Sequence, residues 1–448
     1  LLRLGRPGEA LEVMEQGKIR MSAEAVSRKN ARAGASRLDL QAMLREIPEG
    51  STLVAPVVTS QGSAVFVVPG GSAVVGKEHV VELDSLTTST VGEMLGGRAG
   101  SGGWLNAYLG WHNNRNRLTE LFEGLDELTT SLWDALVGPV HARLMELGVD
   151  RGAPVILMPT GWLGLLPLHA ARRMEGERWT AFGEEYVVSY VPSVGALEAC
   201  RRRLDAGPRG RFALLAVANP TGDLRFAEDE VAAIASSFAE SAGTPIAAQV
   251  LAREEATRAN ILDGVRGVSH VHFACHAEFH CANAAESGLL LAEGDRLRIE
   301  DIMSDELDLD SSHLVTLSAC ETGMTEFRTM PDEFIGLTGA LLEAGAPAVI
   351  SSLWPVDDVS TKFLLTEMYR LHLGGRSVAA ALQGAQRWVS EARAGELGLA
   401  AVYQRNYAAS GSVDESALRS WHYYEGNPQV RPFAHPFYWA AFTVTGAA

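Results

Sequence analysis

The chain has 448 residues, 47% of them hydrophobic and 21% charged, with 38 Lys and Arg against 55 Asp and Glu for a net charge of −17. That length supports about two or three domains with a full hydrophobic core, and an acidic balance without any basic block argues against a nucleic-acid footprint. The sequence contains no apolar run of the roughly 18 residues that span a bilayer and no signal-peptide pattern, and its four cysteines, Cys200, Cys275, Cys281 and Cys320, do not look like a disulfide framework, so a reducing, cytoplasmic compartment is expected.

The chain opens on Leu1 rather than Met and reads as the C-terminal part of a longer protein. Residues 1–46 carry a helical pattern, with Leu4, Ala10, Leu11 and Met14 at helical spacing and a turn before EALEVMEQGK. LGR and EALE resemble the end of a tetratricopeptide-repeat array; the alternative is a lone helical hairpin packed on the next domain, since one repeat does not bury its own face. Residues 47–150 form a second unit: short β-rich runs, STLVAPVV, SAVFVVP and HVVELDSL, then a helical stretch over 117–147 with a core-facing leucine stripe.

Residues 151–448 form the third. PVILMPTG is a buried strand ending in a turn, and YVVSYVPSVGALEACRRR predicts a strand, a turn with Ser193 as N-cap, and a helix. Strand and helix signals then alternate through RFALLAVANP, FAEDEVAAIASSFA, AAQVLA, EEATRANILDGV and SHVHFACHA. This alternation predicts an α/β fold, a largely parallel sheet with helices on both faces. GLLLAEGDRL is a hairpin, LVTLSAC a strand, DEFIGLTGALLEAGA a helix and PAVISSLWPV a strand. Two helices are expected over 358–373 and 377–391, then a loop-rich region with Trp421, Tyr423 and Tyr424 before a last apolar run, FYWAAFTVTG.

The chemistry concentrates in two of these strands. VSHVHFACHA and HLVTLSAC are short, β-branched and apolar, and each delivers a reactive side chain where it ends, His276 and Cys320. Buried strands of an α/β sheet present such residues at their carboxyl edge, where sites form. A free thiol needs a basic neighbour to be a good nucleophile at neutral pH, and His276 is placed to serve. The backbone amides of Ala277 and Cys320 would form an oxyanion hole. Spacing alone leaves open the alternative of two buried residues at unrelated strand ends.

A zinc reading of Cys275, His276, His280 and Cys281 is disfavoured: consecutive strand residues point to opposite faces, and no spaced CxxC or HExxH pattern is present. No metal or cofactor is expected. Cys200 and Cys275 are read as core residues, and His270, His272 and His313 as satisfied core or edge histidines. A nucleotide-binding module lacks its GxGxxG or GxxxxGK[ST] element.

HFACHA, LSACETG, LLEAGAPAVISSLWPVDD and HPFYWAAFTVTG together resemble the CHAT family of caspase-like cysteine peptidases, related to separases. VILMPTGWLGLLPLHAA, SYVPSVGAL and EEATRANIL fit the same family, and the resemblance covers about residues 150–446. It implies a caspase-like sheet, with Cys320 as nucleophile and His276, 44 residues upstream, as its acid/base partner, close to the spacing of about 50 in caspases. Many relatives carry Gly after the histidine where this chain has Ala277, which leaves the amide in place but narrows its backbone freedom.

By the same resemblance, Asp358 matches an acidic residue that separases carry after a W-x-V element, with Asp357 beside it, and implies a pocket for a basic residue before the scissile bond. The alternative is that Asp357 or Asp358 caps the following helix. The loop Met324–Asp332 is either part of the substrate cleft, with Arg328 a self-cleavage site, or ordinary solvated chain. The family implies a protein substrate, such as a gasdermin-like pore former, and activation by a sensor protein through N-terminal repeats in bacterial defence or cell death. The competing reading is a catalytically silent scaffold that binds a partner protein.

Overall fold

A computed structural model describes residues 1–27, 39–97, 103–114, 117–206, 211–242, 247–278, 286–304, 306–319, 336–411 and 413–447. The strands in chain order begin with β1 (Thr52–Thr59), β2 (Gly62–Pro69), β3 (Val80–Leu83) and β4 (Pro154–Leu157). A small hairpin, β5 (Arg172–Glu175) and β6 (Arg178–Ala181), precedes β7 (Val187–Tyr190), β8 (Arg211–Ala218), β9 (Ala248–Ala252) and β10 (Val268–Ala274). There follow β11 (Ala277–Glu278), β12 (Gly288–Leu290), β13 (Arg296–Arg298), β14 (Leu314–Ser318), β15 (Ala348–Ser352) and β16 (Phe442–Gly446).

Eleven of these strands form one sheet in the order β3-β2-β1-β4-β7-β16-β15-β14-β10-β8-β9. It consists of two parallel blocks that run in opposite directions. In one, β1, β4, β7 and β16 are parallel, with β2 and β3 added as an antiparallel meander. In the other, β15, β14, β10, β8 and β9 are parallel. The seam is the antiparallel pair β15/β16, which registers Ile350 opposite Val444. The mostly parallel α/β architecture read from the alternating signals is therefore present, and its central strands are apolar because both faces are covered. All seven residues of β10 are buried.

One face packs the helices Leu118–Leu132, Ala227–Ala242, Asp358–Leu373 and Val378–Glu391 around Leu214, Ala216, Ile350, Leu364 and Tyr369. The other face packs Pro7–Ser27, Leu40–Glu46, Val194–Asp205, Arg258–Gly264 and Leu337–Glu343 around Leu215, Val271, Val315 and Val349. Each fully buried aliphatic side chain in these layers contributes about 1.5–3 kcal/mol of transfer free energy. The helix starts follow local chemistry: Ser193 accepts from the Ala196 amide, as its position before an apolar run predicts, and Ser377 does the same for Ala380.

Four segments depart from the sequence reading. The stretch with Trp421, Tyr423 and Tyr424 is not loop-rich but a helical hairpin, Leu399–Ala409 and Glu415–Gly426, held by stacked Tyr403 and Tyr424 rings and capped at its second helix by Asp414. Two helices, Thr88–Gly96 and Trp104–Asn113, and the β5/β6 hairpin also form where no element was predicted. The two helices gain stability from tertiary contacts such as Trp104 on Trp354. Among the described residues no helix is long and apolar enough to cross a membrane.

Candidate active site

The site lies where the five parallel strands of the second block end. Ala274 of β10 is in register with Ser318 of β14 on one side and with Ala218 of β8 on the other, and Ala218 is level with Ala252 of β9. These neighbouring strands therefore finish on one line. Beyond β10 the chain passes through buried Cys275 to His276 and then into β11, where Ala277 pairs with Leu289. The His276 carbonyl accepts from the Leu290 amide at 2.9 Å, so the three-stranded sheet β11-β12-β13 fixes the backbone on the far side of the histidine. Beyond β14 the last described residue is Ala319, whose carbonyl accepts from Ser352 Oγ at 2.7 Å. Cys320 and the Met324–Asp332 loop, with Arg328, lie outside the described residues, as do His280 and Cys281.

The loop after β8 carries a residue that the sequence reading did not single out. Asn219 adopts a left-handed conformation, φ 49°, which Asn tolerates better than most side chains. Its amide donates to the Ala274 carbonyl at 2.8 Å, its Oδ1 accepts from Leu224 N at 2.9 Å, and its Nδ2 donates to Glu228 Oε1 at 3.0 Å. The loop is thereby folded back over the strand ends. Asp223 is brought to His276, with Oδ1 at 3.0 Å from Nε2. The Thr221 hydroxyl donates to the same carboxylate, and together with His276 it holds Asp223 below the usual carboxylate range. The only clue in the sequence is an NPTGD turn directly after a buried strand.

The connection after β15 carries the two aspartates. Trp354 is buried, its indole N–H donating to the Phe437 carbonyl at 3.0 Å, and this anchors the turn into Asp357. Asp357 is the N-cap of the Asp358–Leu373 helix, its Oδ2 accepting from the Ser360 amide at 2.9 Å. The capping alternative therefore holds for Asp357, whose carboxyl is pushed up by burial. Asp358 is the first helical residue and stays open to solvent. Crowding by the protein, then the charges of Asp357, Glu230 and Asp223, push its carboxyl up to about 6, against the opposing pull of His276. Asp358, His276 and Asp223 thus share one electrostatic neighbourhood.

His270, His272 and Cys200 are structural. His272 Nε2 meets Glu230 Oε1 at 2.9 Å within the core, and His270 lies between Ser269 and His372, 2.7 and 3.2 Å from their side chains. Burial pushes the Cys200 thiol up to about 11, which suits a core residue and not a nucleophile. Among the described residues no group of three or more His, Cys, Asp and Glu is arranged to hold a metal ion.

The large, mostly parallel, helix-flanked sheet resembles the fold of caspase-like cysteine peptidases. The crystal structure of the separase–securin complex of Saccharomyces cerevisiae shares this fold, with a TM-score of 0.53 and 10% identity over 91% of this chain and 30% of that one. Gingipain R, an Arg-specific cysteine proteinase, aligns at a TM-score of 0.42 and 13% identity over 72% of this chain and 67% of its own. The CHAT domain model matches residues 126–447, and the chain belongs to the CHAT family. Tetratricopeptide repeat protein 28 of Homo sapiens is 24% identical over 316 residues, which are 59% of this chain and 12% of that protein. The Mus musculus protein of the same name matches at 24% over 318 residues and the same shares, so this chain spans about an eighth of the relatives' length.

Proposed function

We propose that the chain is a cysteine endopeptidase acting through Cys320 and His276. The observation that carries this reading is the register of β10 with β14: Ala274 is level with Ser318, and His276 and Cys320 each follow two residues later. In the proposed reaction the Cys320 thiol gives its proton to the His276 imidazole and the thiolate attacks the peptide carbonyl. The oxyanion is held by backbone amides, Ala277 and Cys320 being the candidates. The imidazolium then protonates the departing amine, leaving an acyl-enzyme that water hydrolyses with His276 as base.

Asp358 is the candidate specificity residue. Loss of solvation by the surrounding protein first, and then the charges of Asp357, Glu230 and Asp223, push its carboxyl up to about 6, and a substrate guanidinium or ammonium would offset both. A preference for Arg or Lys before the scissile bond follows, with Asp357 shaping the pocket from its cap position. The family resemblance further supports a protein substrate such as a gasdermin-like pore former. It also supports a cytoplasmic role in bacterial defence or cell death, with residues 1–46 as the end of a repeat array through which a sensor acts. Residues 47–150 and 151–448 are proposed as the two parts of the peptidase unit.

The deciding experiment measures hydrolysis of fluorogenic peptides bearing Arg, Lys, Asp or Leu before the cleavable bond, in wild type, Cys320→Ala and His276→Ala. Arg-preferring turnover that disappears in both variants, with thermal stability unchanged, supports the peptidase. If wild type neither turns over nor labels at Cys320 with a thiol-directed peptide probe, with or without candidate activators, the fold is a partner-binding scaffold.

A further inference from the structure

We propose that Asp223 is a positioning residue that fixes the tautomer of His276, with the proton on Nε2 and the basic lone pair on Nδ1. This rests on the peptidase reading for its consequence, but its structural core stands on contacts already present. Asp223 Oδ1 lies 3.0 Å from His276 Nε2. An ionised carboxylate only accepts hydrogen bonds, so Nε2 carries the proton in the neutral ring and the lone pair resides on Nδ1. In the acylation step the Cys320 thiol proton then passes to Nδ1, the Nε2 proton stays on the ring, and the resulting imidazolium faces a carboxylate. The same Nδ1 proton leaves with the amine, so the ring returns to its starting tautomer.

The loop is built to present this carboxylate. Asn219, with its left-handed backbone and its bonds to Leu224 and Glu228, closes the turn from within. Arg225 pairs with Asp414 of the C-terminal helical hairpin and ties down the outer side of the loop. Glu228 is in turn paired with Arg253 after β9. Asp223 keeps 65% of its side chain exposed and His276 35%, so the interaction acts through orientation more than through raw electrostatic strength. Among the described residues, Asp358 on the Asp358–Leu373 helix also interacts with the histidine, and Glu230 on the Ala227–Ala242 helix interacts with Asp358.

The test uses the full chain with Asp223→Asn, Asp223→Ala and Asp223→Glu. Nitrogen-15 NMR of His276, in a Cys320→Ala background, reads the tautomer without requiring turnover. The expected result is a predominantly Nε2–H ring with the wild-type loop, and a mixed population in Asp223→Ala and Asp223→Asn. In active protein, Asp223→Asn and Asp223→Ala should lower kcat roughly 10- to 100-fold with little change in KM. That is less than the loss at a buried triad aspartate, because this one is open to solvent. Asp223→Glu, which keeps a carboxylate within reach of the ring, should recover part of the rate. An unchanged tautomer in Asp223→Asn overturns the proposal. A changed tautomer in a protein that never turns over leaves the positioning role standing and overturns the peptidase reading instead.

Discussion

The two parallel blocks of the sheet each present a carboxyl edge, and the chain treats them in opposite ways. At the end of β14, β10 and β8, among the described residues, the edge is open: His276, Asp223 and Asp358 gather there with solvent access. At the end of β4 and β7, on the other side of the antiparallel seam, the corresponding edge is filled by the Pro7–Ser27 helix. Lys18 Nζ donates to the carbonyls of Pro159 and Pro192, at 2.7 and 2.9 Å, where those two strands run out. Glu15, with no exposed surface, accepts from the amides of Val194 and Gly195 at 3.0 and 2.8 Å. Together with Ser193 on Ala196, this satisfies the first turn of the Val194–Asp205 helix. Topology therefore offers two places where a site can form, and side chains from the N-terminal helix use one of them for stability.

The comparison breaks first at the support beneath the open edge. Glu230 and His272 meet inside the core, with 3% and 0% of their side chains exposed. Glu230→Ala leaves the buried imidazole without its acceptor and should cost about 2–3 kcal/mol, read as a lowered urea midpoint at constant m-value. A loss below about 1 kcal/mol would mean that the layer under the site relaxes freely and is not the rigid platform described.

The filled edge gives the next largest effect. Glu15→Ala strips the acceptor from two helix amides and should destabilise by about 2 kcal/mol, while Glu15→Gln, which keeps an acceptor oxygen, should cost less. Burial pushes the Glu15 carboxyl up. Its contribution to stability is therefore full at pH values below the ordinary glutamate range and declines as pH rises through the raised value. Turnover per folded molecule should stay at the wild-type level. A specific loss of kcat in Glu15→Ala, measured well below its melting temperature, would show that the two edges are coupled and not merely alike.

Much of this was legible in the residues. The apolar runs ending at Ala274 and Ser318, the alternation of strands with helices, and the Ser193 cap each follow from local pattern, and their structures agree. The antiparallel seam was not legible, because it depends on β16 returning from the end of the chain to lie between β15 and β7. Nor was Asp223, an exposed aspartate in a turn like many others until Asn219 folds the loop over β10. Glu15 and Lys18 lie in a run that the sequence marks only as helical. What makes them structural is a pair of prolines and a helix start more than 140 residues away. The segments 399–409 and 415–426 failed for a related reason: their aromatic residues pack on one another and on Phe226, a contact that periodicity alone does not reveal.

The smallest expected effect separates a site from a scaffold most directly. Asp358 has a folded-state carboxyl raised from 3.8 to about 6. A carboxyl raised in this way binds its proton more tightly in the native state than in the unfolded chain. Its contribution is thus complete below about pH 4 and is lost as pH climbs through about 6. Asp358→Asn removes the charge that is penalised, and so should stabilise the protein at pH 7.5 while changing nothing at pH 3. Solvent reaches this residue and screens it, so the gain should be about 1 kcal/mol and not the full value of a two-unit shift. The same variant should lose most of its preference for peptides with Arg before the scissile bond and keep its rate on Leu peptides. More stable and less selective is the signature of a carboxylate held under strain for a ligand. If Asp358→Asn is instead less stable at pH 7.5 and equally selective, Asp358 belongs with Glu15 among the groups that hold the fold, and the open edge owes its specificity to other residues.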